Sequence, residues 1–347
     1  MARIRWGLLG VPEREVDPER RGFAEWEAGP SRCEDVGRSF LTGYRAGLVE
    51  PGAVSAVRSL ADLDDDLRGF AMEGLGMAAA LRDVLRPGGR HFRDLLACAG
   101  ERHVYMIHVG LGWALARTPR PLWPSLSRLD PVHAALVLDG YGFHEVFFRT
   151  RRVFDELGVG FPLSAWPGRP QDAHQHLMQG VGRGLWFVAG GGPARLADYV
   201  GRFAPSAAGS LWAGVGLAAA YAGGRDEAGL RELRATSGEY SPWLRQGATF
   251  AVGARDRAGA SVEHTHLAAR VLCDGTVETV HALARAHLPR SGVVDAGDWS
   301  AAARWRCEVA GYYATHAPDR DGHDGHDGHE PVDRDVDAVG ARLVGAR

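Results

Sequence analysis

Ionisable side chains occupy positions where the apolar pattern of this chain predicts buried helix faces. They are Glu73, His108, Asp139 and the pair His144-Glu145, all close to glycines or large apolar residues. A carboxylate beside an imidazole can move a proton as a general acid–base pair. We therefore predict these five as candidate catalytic residues, and expect His108, His144 and Glu145 to share one polar cluster with Glu73 or Asp139. The alternative is that a neighbour in the core satisfies each of them separately.

A second set of residues has the size and polarity to hold an organic substrate in the same cleft. An amide precedes a helical glycine at Gln179-Gly180, just as Glu73 precedes Gly74. Side chains at such helix contacts could line one cleft from both halves of the chain. The predicted substrate-binding residues are Tyr105, Trp113, Tyr141, Arg183, Trp212 and Gln246.

The composition and the histidine spacing exclude several kinds of catalysis. Lysine and asparagine do not occur in the 347 residues, which rules out a Schiff-base lysine, a phosphate-loop lysine and a Cys-His-Asn triad. The four cysteines form no CxxC pair. His174/His176 and His264/His266 are two residues apart, which splays the side chains on a helix. We therefore predict no metal site, and the sequence specifies no cofactor. The acidic run 62–66 is typical of a helix start, favoured by the helix dipole.

The elements that must position these residues are predicted to be helices. Apolar residues recur at three- and four-residue spacing from residue 31 onward, and breakers such as Pro51-Gly52 separate the segments. Pairs of glycines, for example Gly74/Gly76 and Gly214/Gly216, lie inside these helices. Each costs roughly 1 kcal/mol relative to alanine. We expect close approach of neighbouring helices to compensate, the alternative being a ligand that lies against bare backbone.

The chain contains one spaced pattern twice. Met72–Ala80 returns as Trp212–Ala220, and Val36–Ser39 returns as Val181–Gly184, in the same order. We predict an all-α protein formed by tandem duplication, with pseudo-twofold symmetry and closely packed, glycine-rich helices. The predicted parts are an N-terminal surface arm (1–30), a first helical half (31–157), a Pro/Gly-rich joint (158–172), a second helical half (173–317) and a low-complexity His/Asp/Gly tail (318–347).

Charge and hydropathy indicate a cytoplasmic protein. The net charge of −3 gives no electrostatic footprint for nucleic acid. The N-terminus lacks the apolar core of a signal peptide. The uncharged stretch from Pro205 to Gly224 is rich in alanine and glycine, so we predict a buried helix there and no membrane span.

A specific motif set lies between about residues 20 and 290. It consists of Arg21–Phe23, Glu34–Tyr44, Arg68–Gly74, His103–Gly110, Asp139–Glu145 and Leu211–Ala218. With these segments the chain resembles a bacterial family known as domain of unknown function 1702. The resemblance implies a place in actinobacterial biosynthetic loci, notably those for enediyne polyketides, and it supplies no catalytic residues.

The resemblance and the buried polar residues together suggest a function. We expect an accessory enzyme of natural-product biosynthesis that acts on a linear polyene or polyketide intermediate in a cleft between the halves. Other proteins of the biosynthetic locus are possible partners. The alternative is a non-catalytic helical scaffold, or chaperone-like partner, for the biosynthetic synthase or a membrane component.

Overall fold

The fold is described here from a computed structural model, in which residues 9–26, 32–86, 88–289 and 297–316 are described. These residues are helical and contain no strand, which confirms the prediction of an all-α protein. The fifteen α-helices of this part of the chain are Pro18–Arg21 (α1), Arg32–Val49 (α2), Ala53–Arg58 (α3), Asp65–Leu85 (α4), His91–Arg117 (α5), Pro131–Phe148 (α6), Thr150–Glu156 (α7), Pro170–Val188 (α8), Pro193–Gly201 (α9), Pro205–Ala222 (α10), Glu227–Thr236 (α11), Ser241–Ala258 (α12), Glu263–Cys273 (α13), Val277–Ala286 (α14) and Ala301–Thr315 (α15).

Local sequence signals account for where these helices begin and bend. Helices α6, α8, α9 and α10 each start at a proline, whose fixed φ suits the first helical turn. At α6 the Asp130 carboxylate also accepts hydrogen bonds from the backbone N–H groups of Val132 (2.9 Å) and His133 (3.2 Å). The apolar spacing of the sequence predicts separate helices over 91–99 and 102–117, but these residues form the single helix α5, kinked at His103. The spacing also predicts one helix over 131–155, which is divided at Arg149 into α6 and α7.

The longest helices pack against one another in chain order. Helix α2 packs on α4, α4 on α5, α5 on α6, α6 on α8, α8 on α10, and α10 on α12. Helix α12 also contacts α5, so that α5, α6, α8, α10 and α12 form a ring. Helix α15 packs on α6, α8 and α12 and so lies across this ring.

Glycines stand at the contacts between the packed helices. In α8, a Cβ built on Gly180 would lie 1.9 Å from the carbonyl oxygen of Asp139 in α6, and one built on Gly182 would lie 2.0 Å from that of Leu211 in α10. Residues two apart differ by roughly 200° around a helix, so the pair faces two different neighbours. The same spacing and the same kind of contact occur at 74/76 in α4, 110/112 in α5, 140/142 in α6 and 214/216 in α10.

The N-terminal arm differs from the prediction of a surface segment. In its described part, residues 9–26, Val11, Val16 and Phe23 are buried. The Trp26 ring packs edge-on against Trp186 with 5.7 Å between centroids. The arm is therefore part of the core, because its apolar side chains cover the ends of the long helices. The predicted duplication stays a prediction, and the tail 318–347 lies outside the described residues.

Within the described residues, none of the helices combines the length and the hydrophobicity that crossing a membrane requires.

Candidate functional site

A cavity lies inside the helix ring, between α5, α6, α8, α10 and α12, with α15 across it. Its volume is about 70 Å³. Some of the side chains that line it, among them Tyr105, Leu136 and Phe250, are only half-buried. The rest of the wall is mostly apolar, and is lined by Met106, Val109, Val132, Ala135, Leu217, Ala251, Ala254, Ala302 and Trp305. We call this space the central cavity.

Five polar side chains complete the lining of the central cavity. They are His176, Gln179, Arg183, Tyr221 and Arg306, all buried. Three of them come from α8, where one turn of helix separates Gln179 from Arg183. An apolar space with a few polar groups is the usual composition of a site for a small organic molecule.

Arg183 joins two of the predicted acids. Its guanidinium donates a hydrogen bond to the Asp139 carboxylate, and its Nη2 lies 3.8 Å from Glu73 Oε2. Gln179 Nε2 also donates to Asp139, at 2.9 Å. The close contact of α6 with α8 at Gly180 brings these groups together. Two carboxylates thus face one buried cation, and we call Glu73, Asp139, Gln179 and Arg183 the Arg183 group.

Burial alters the protonation of Glu73. Complete burial raises its pKa to about 7, the positive charge of Arg183 opposes the rise, and the negative charge of Asp139 adds to it. A carboxyl that titrates near neutrality could serve as an acid or base. Glu73, however, lines a different space of about 20 Å³, among Phe40, Phe143 and Trp113. A space of this size holds roughly one water molecule, so no organic substrate reaches Glu73 there.

Arg306 and His176 contrast with the Arg183 group. Arg306 Nη2 donates to Ser210 Oγ at 3.2 Å, whereas its Nε and Nη1 find no hydrogen-bond partner among the described residues. His176 Nε2 is also without one there. Burial lowers the pKa of His176 well below its usual value, and the charge of Arg306 lowers it further, so the imidazole is neutral. We call Arg306, Ser210 and His176 the Arg306 group.

His108 lies apart from the predicted acids. Its Nδ1 donates to the carbonyl of Val104 at 2.7 Å, and its ring stacks on His133 with 4.9 Å between centroids. Burial lowers its pKa to about 4, and the charge of His133 adds to the effect. Its hydrogen bond and its stacking partner hold it within the wall of α5 and α6.

His144 and Glu145 form another separate group. The Nε of Arg117 donates to His144 Nε2 at 3.2 Å, and His144 Nδ1 lies 3.3 Å from Glu145 Oε1. Arg149 donates to Glu145 at 2.7 Å. Burial lowers the pKa of His144 to about 4, against the effect of Glu145. The pKa of Glu145 is itself lowered, since His144 and Arg149 outweigh the burial that raises it.

The prediction that the candidate catalytic residues share one polar cluster is therefore wrong. Glu73 and Asp139 meet through Arg183, while His108 and the His144-Glu145 pair each have their own partners. The physical reason lies on α6, where Asp139 and His144 are five residues apart and so roughly 140° apart around the helix. Asp139 faces α8, and His144 faces Arg117 on α5.

The predicted substrate-binding residues are also divided. Tyr105 and Arg183 line the central cavity. Trp113 packs on Phe40, and Tyr141 packs on Phe161 outside the cavity. Trp212 is buried in α10. Gln246 in α12 is fully buried, and its amide atoms have no hydrogen-bond partner among the described residues.

The prediction did not include Arg306, although the sequence carried a signal for it. Ala302, Trp305, Arg306 and Val309 have the spacing of one apolar helix face. A charged residue on such a face has to be buried or to break the pattern. Within the described residues, His, Cys, Asp and Glu form no group of three or more that could hold a metal ion.

Comparison with known proteins identifies a family. A family model described as protein of unknown function (DUF1702) matches residues 1–313, and the chain belongs to this family. No curated protein and no solved structure matches the chain.

Proposed function

We propose that this member of the DUF1702 family is a cytoplasmic accessory protein of natural-product biosynthesis that binds a linear polyene or polyketide intermediate in the central cavity. The observation that carries the proposal is an apolar cavity inside a helix ring, with buried polar groups on part of its wall. Helices α5 and α6 come from the first predicted half, and α8, α10, α12 and α15 from the second. The resemblance to the family of enediyne-type loci supports the class of ligand.

The size of the cavity constrains how such a ligand binds. Sites for drug-sized ligands have volumes of roughly 300–1,000 Å³, against about 70 Å³ here. A polyene therefore has to displace side chains as it enters. The Phe250 and Trp305 rings, stacked at 4.0 Å between α12 and α15, lie in its way. The ring helices contact one another backbone to backbone at their glycines. We therefore infer that α15 is the wall of the cavity that can be displaced at the smallest cost in free energy.

Binding is favoured over acid–base catalysis as the primary role. His108 and His144 are satisfied by neighbours away from the central cavity, and Glu73 faces the smaller space. These placements leave the five predicted catalytic residues without a common point at which a substrate could meet them. Because neighbouring groups already pair with His108 and His144, these placements also favour the scaffold alternative, in which the cavity is only a packing defect.

Diphenylhexatriene, a neutral linear polyene that fluoresces in apolar surroundings, separates these two functions. We expect saturable binding at one site per chain. Ala251→Phe should reduce affinity at least tenfold, because Ala251 is buried in the cavity wall. Ala228→Phe, at an exposed position of α11, is the matched control and should bind as the wild type does. Absence of saturable binding, or equal binding by both variants, would leave the scaffold as the better explanation.

A further inference from the structure

The buried arginines of the protein differ in what neutralises them. Arg183, Arg245 and Arg255 each form an ion pair with a carboxylate. Arg82 donates to the backbone carbonyls of Gly47 and Glu50, at 2.9 and 3.0 Å. Against this pattern Arg306 is the exception.

Arg306 is buried, and most of its donors have no hydrogen-bond partner among the described residues. Only 3% of its surface is exposed. It donates to Ser210, and no carboxylate of the described residues forms an ion pair with it. A guanidinium has five N–H donors and keeps its charge in proteins. A buried charge of this kind is costly unless an anion and hydrogen bonds compensate for it.

The two residues that carry these unpartnered atoms line the central cavity. Arg306 and His176 both line it, and His176 Nε2 has no partner among the described residues. The neutral imidazole can donate one N–H without adding charge. A cation and a neutral donor next to an apolar space match a ligand with an anionic end and an apolar body.

We propose that the ligand of the central cavity is an acyl chain with a free carboxylate, which pairs with Arg306 and His176 while the apolar wall takes the chain. This inference rests on the proposed function and narrows its substrate class. A carboxylate fits better than a phosphate because one unpaired guanidinium balances a single charge. The second cation of the cavity, Arg183, is already matched by Glu73 and Asp139.

The test compares cis-parinaric acid, a fluorescent linear tetraene carboxylate, with its methyl ester. The two share the same tetraene chain and differ at one end, where the acid has a carboxylate and the ester has a neutral methyl ester group. A hydrogen bond to a charged group contributes roughly 1.5–3 kcal/mol, which is about 10- to 140-fold in affinity. We expect the wild type to prefer the acid by this factor. Arg306→Met should bind the acid and the ester with equal affinity.

The outcomes separate this inference from the function on which it rests. If neither parinaric compound nor diphenylhexatriene binds, the proposed function fails. If the neutral polyene binds but acid and ester bind equally to the wild type, only the carboxylate assignment is wrong. Stronger displacement of parinaric acid by hexadecyl phosphate than by hexadecanoic acid would also overturn it. The comparison of acid and ester binding by the wild type tests the carboxylate assignment even if Arg306→Met does not fold.

Discussion

Helices α8 and α15 each bring a buried arginine to the same cavity, and the protein treats the two differently. On α8, Arg183 meets two carboxylates and shares Asp139 with the amide of Gln179. On α15, Arg306 donates a hydrogen bond to the hydroxyl of Ser210 and lies over the Trp243 ring, 5.9 Å from its centroid, but it forms no ion pair among the described residues. The helices differ in packing as well. Gly182 of α8 lies against the backbone of α10, whereas a Cβ built on Gly311 of α15 would meet nothing within 4 Å.

The difference shows how to separate a structural charge from a functional one. Where the chain supplies its own counter-ions, as for Arg183, the charge holds helices together and its loss costs stability. Where no carboxylate of the described residues lies within ion-pair distance, as for Arg306, the unfavourable burial is retained at the expense of stability. Such retained costs are typical of functional sites. Burial alone does not distinguish the two arginines, because each is 4% exposed or less.

The largest effect should come from exchanging each arginine for methionine. Arg183→Met leaves Asp139 and Glu73 buried without their cation and should lower the free energy of unfolding by about 3–5 kcal/mol. Arg306→Met should change it by less than about 1 kcal/mol in either direction, because no ion pair is broken and an unpaired charge is removed. Urea unfolding of both variants measures the difference. Equal losses would mean that the two arginines play the same structural part.

The next prediction tests whether the Arg183 group, which has two carboxylates and one guanidinium, binds a proton at Glu73 near neutral pH. The pKa of Glu73 is raised to about 7 in the folded protein, so its ionised form is disfavoured by folding. Its contribution is fully present below the unfolded pKa, near 4.5, and stability falls as pH rises through 7. From pH 5 to pH 8 the loss is about 2–3 kcal/mol.

Glu73→Gln should remove this part of the pH dependence. The measurement is the free energy of unfolding of the variant and the wild type at both pH values. Glu145→Gln is the control, because the lowered pKa of Glu145 makes its stabilisation disappear only as pH falls below about 4.5. Its pH 5 to pH 8 difference should equal that of the wild type. An unchanged slope in Glu73→Gln would show that Glu73 is ionised throughout this range.

The smallest effects concern the packing of the two helices. Gly182→Ala places a methyl group 2.0 Å from the carbonyl oxygen of Leu211, and should destabilise the fold by about 1–3 kcal/mol through overpacking. Gly311→Ala meets no such contact and should stabilise α15 by roughly 1 kcal/mol, the ordinary helix-propensity gain. Thermal unfolding of both gives opposite shifts in Tm. Shifts of the same sign would contradict the contrast between a tight α8 and a loose α15.

The helices could be predicted from the sequence because their signals are local. Proline at the first position of α6 and α8, and the apolar spacing within each segment, are set by neighbouring residues. The break at Arg149 and the fusion of two segments at His103 were not predicted, since both depend on how the segment packs.

The candidate site was predictable only in part, for the same reason. The sequence marked Glu73, Asp139 and Arg183 as unusual polar residues, and the structure joins them. It could not tell that His108 and His144 turn to other neighbours, because which helix faces which is a tertiary property. Arg306 was recognisable by its place on an apolar face, but that no carboxylate of the described residues pairs with it is a tertiary property that the sequence does not show.

The glycine contacts between the ring helices have a mechanical consequence. Hydrostatic pressure favours states with less void volume, and it unfolds proteins by eliminating their internal voids. At contacts such as Gly180 with Asp139, backbone touches backbone and leaves little space to compress. The central cavity, about 70 Å³, then accounts for much of the compressible volume near the ring. Pressure therefore acts on this protein mainly where a ligand would lie, and filling the cavity would make the fold harder to compress and more resistant to pressure.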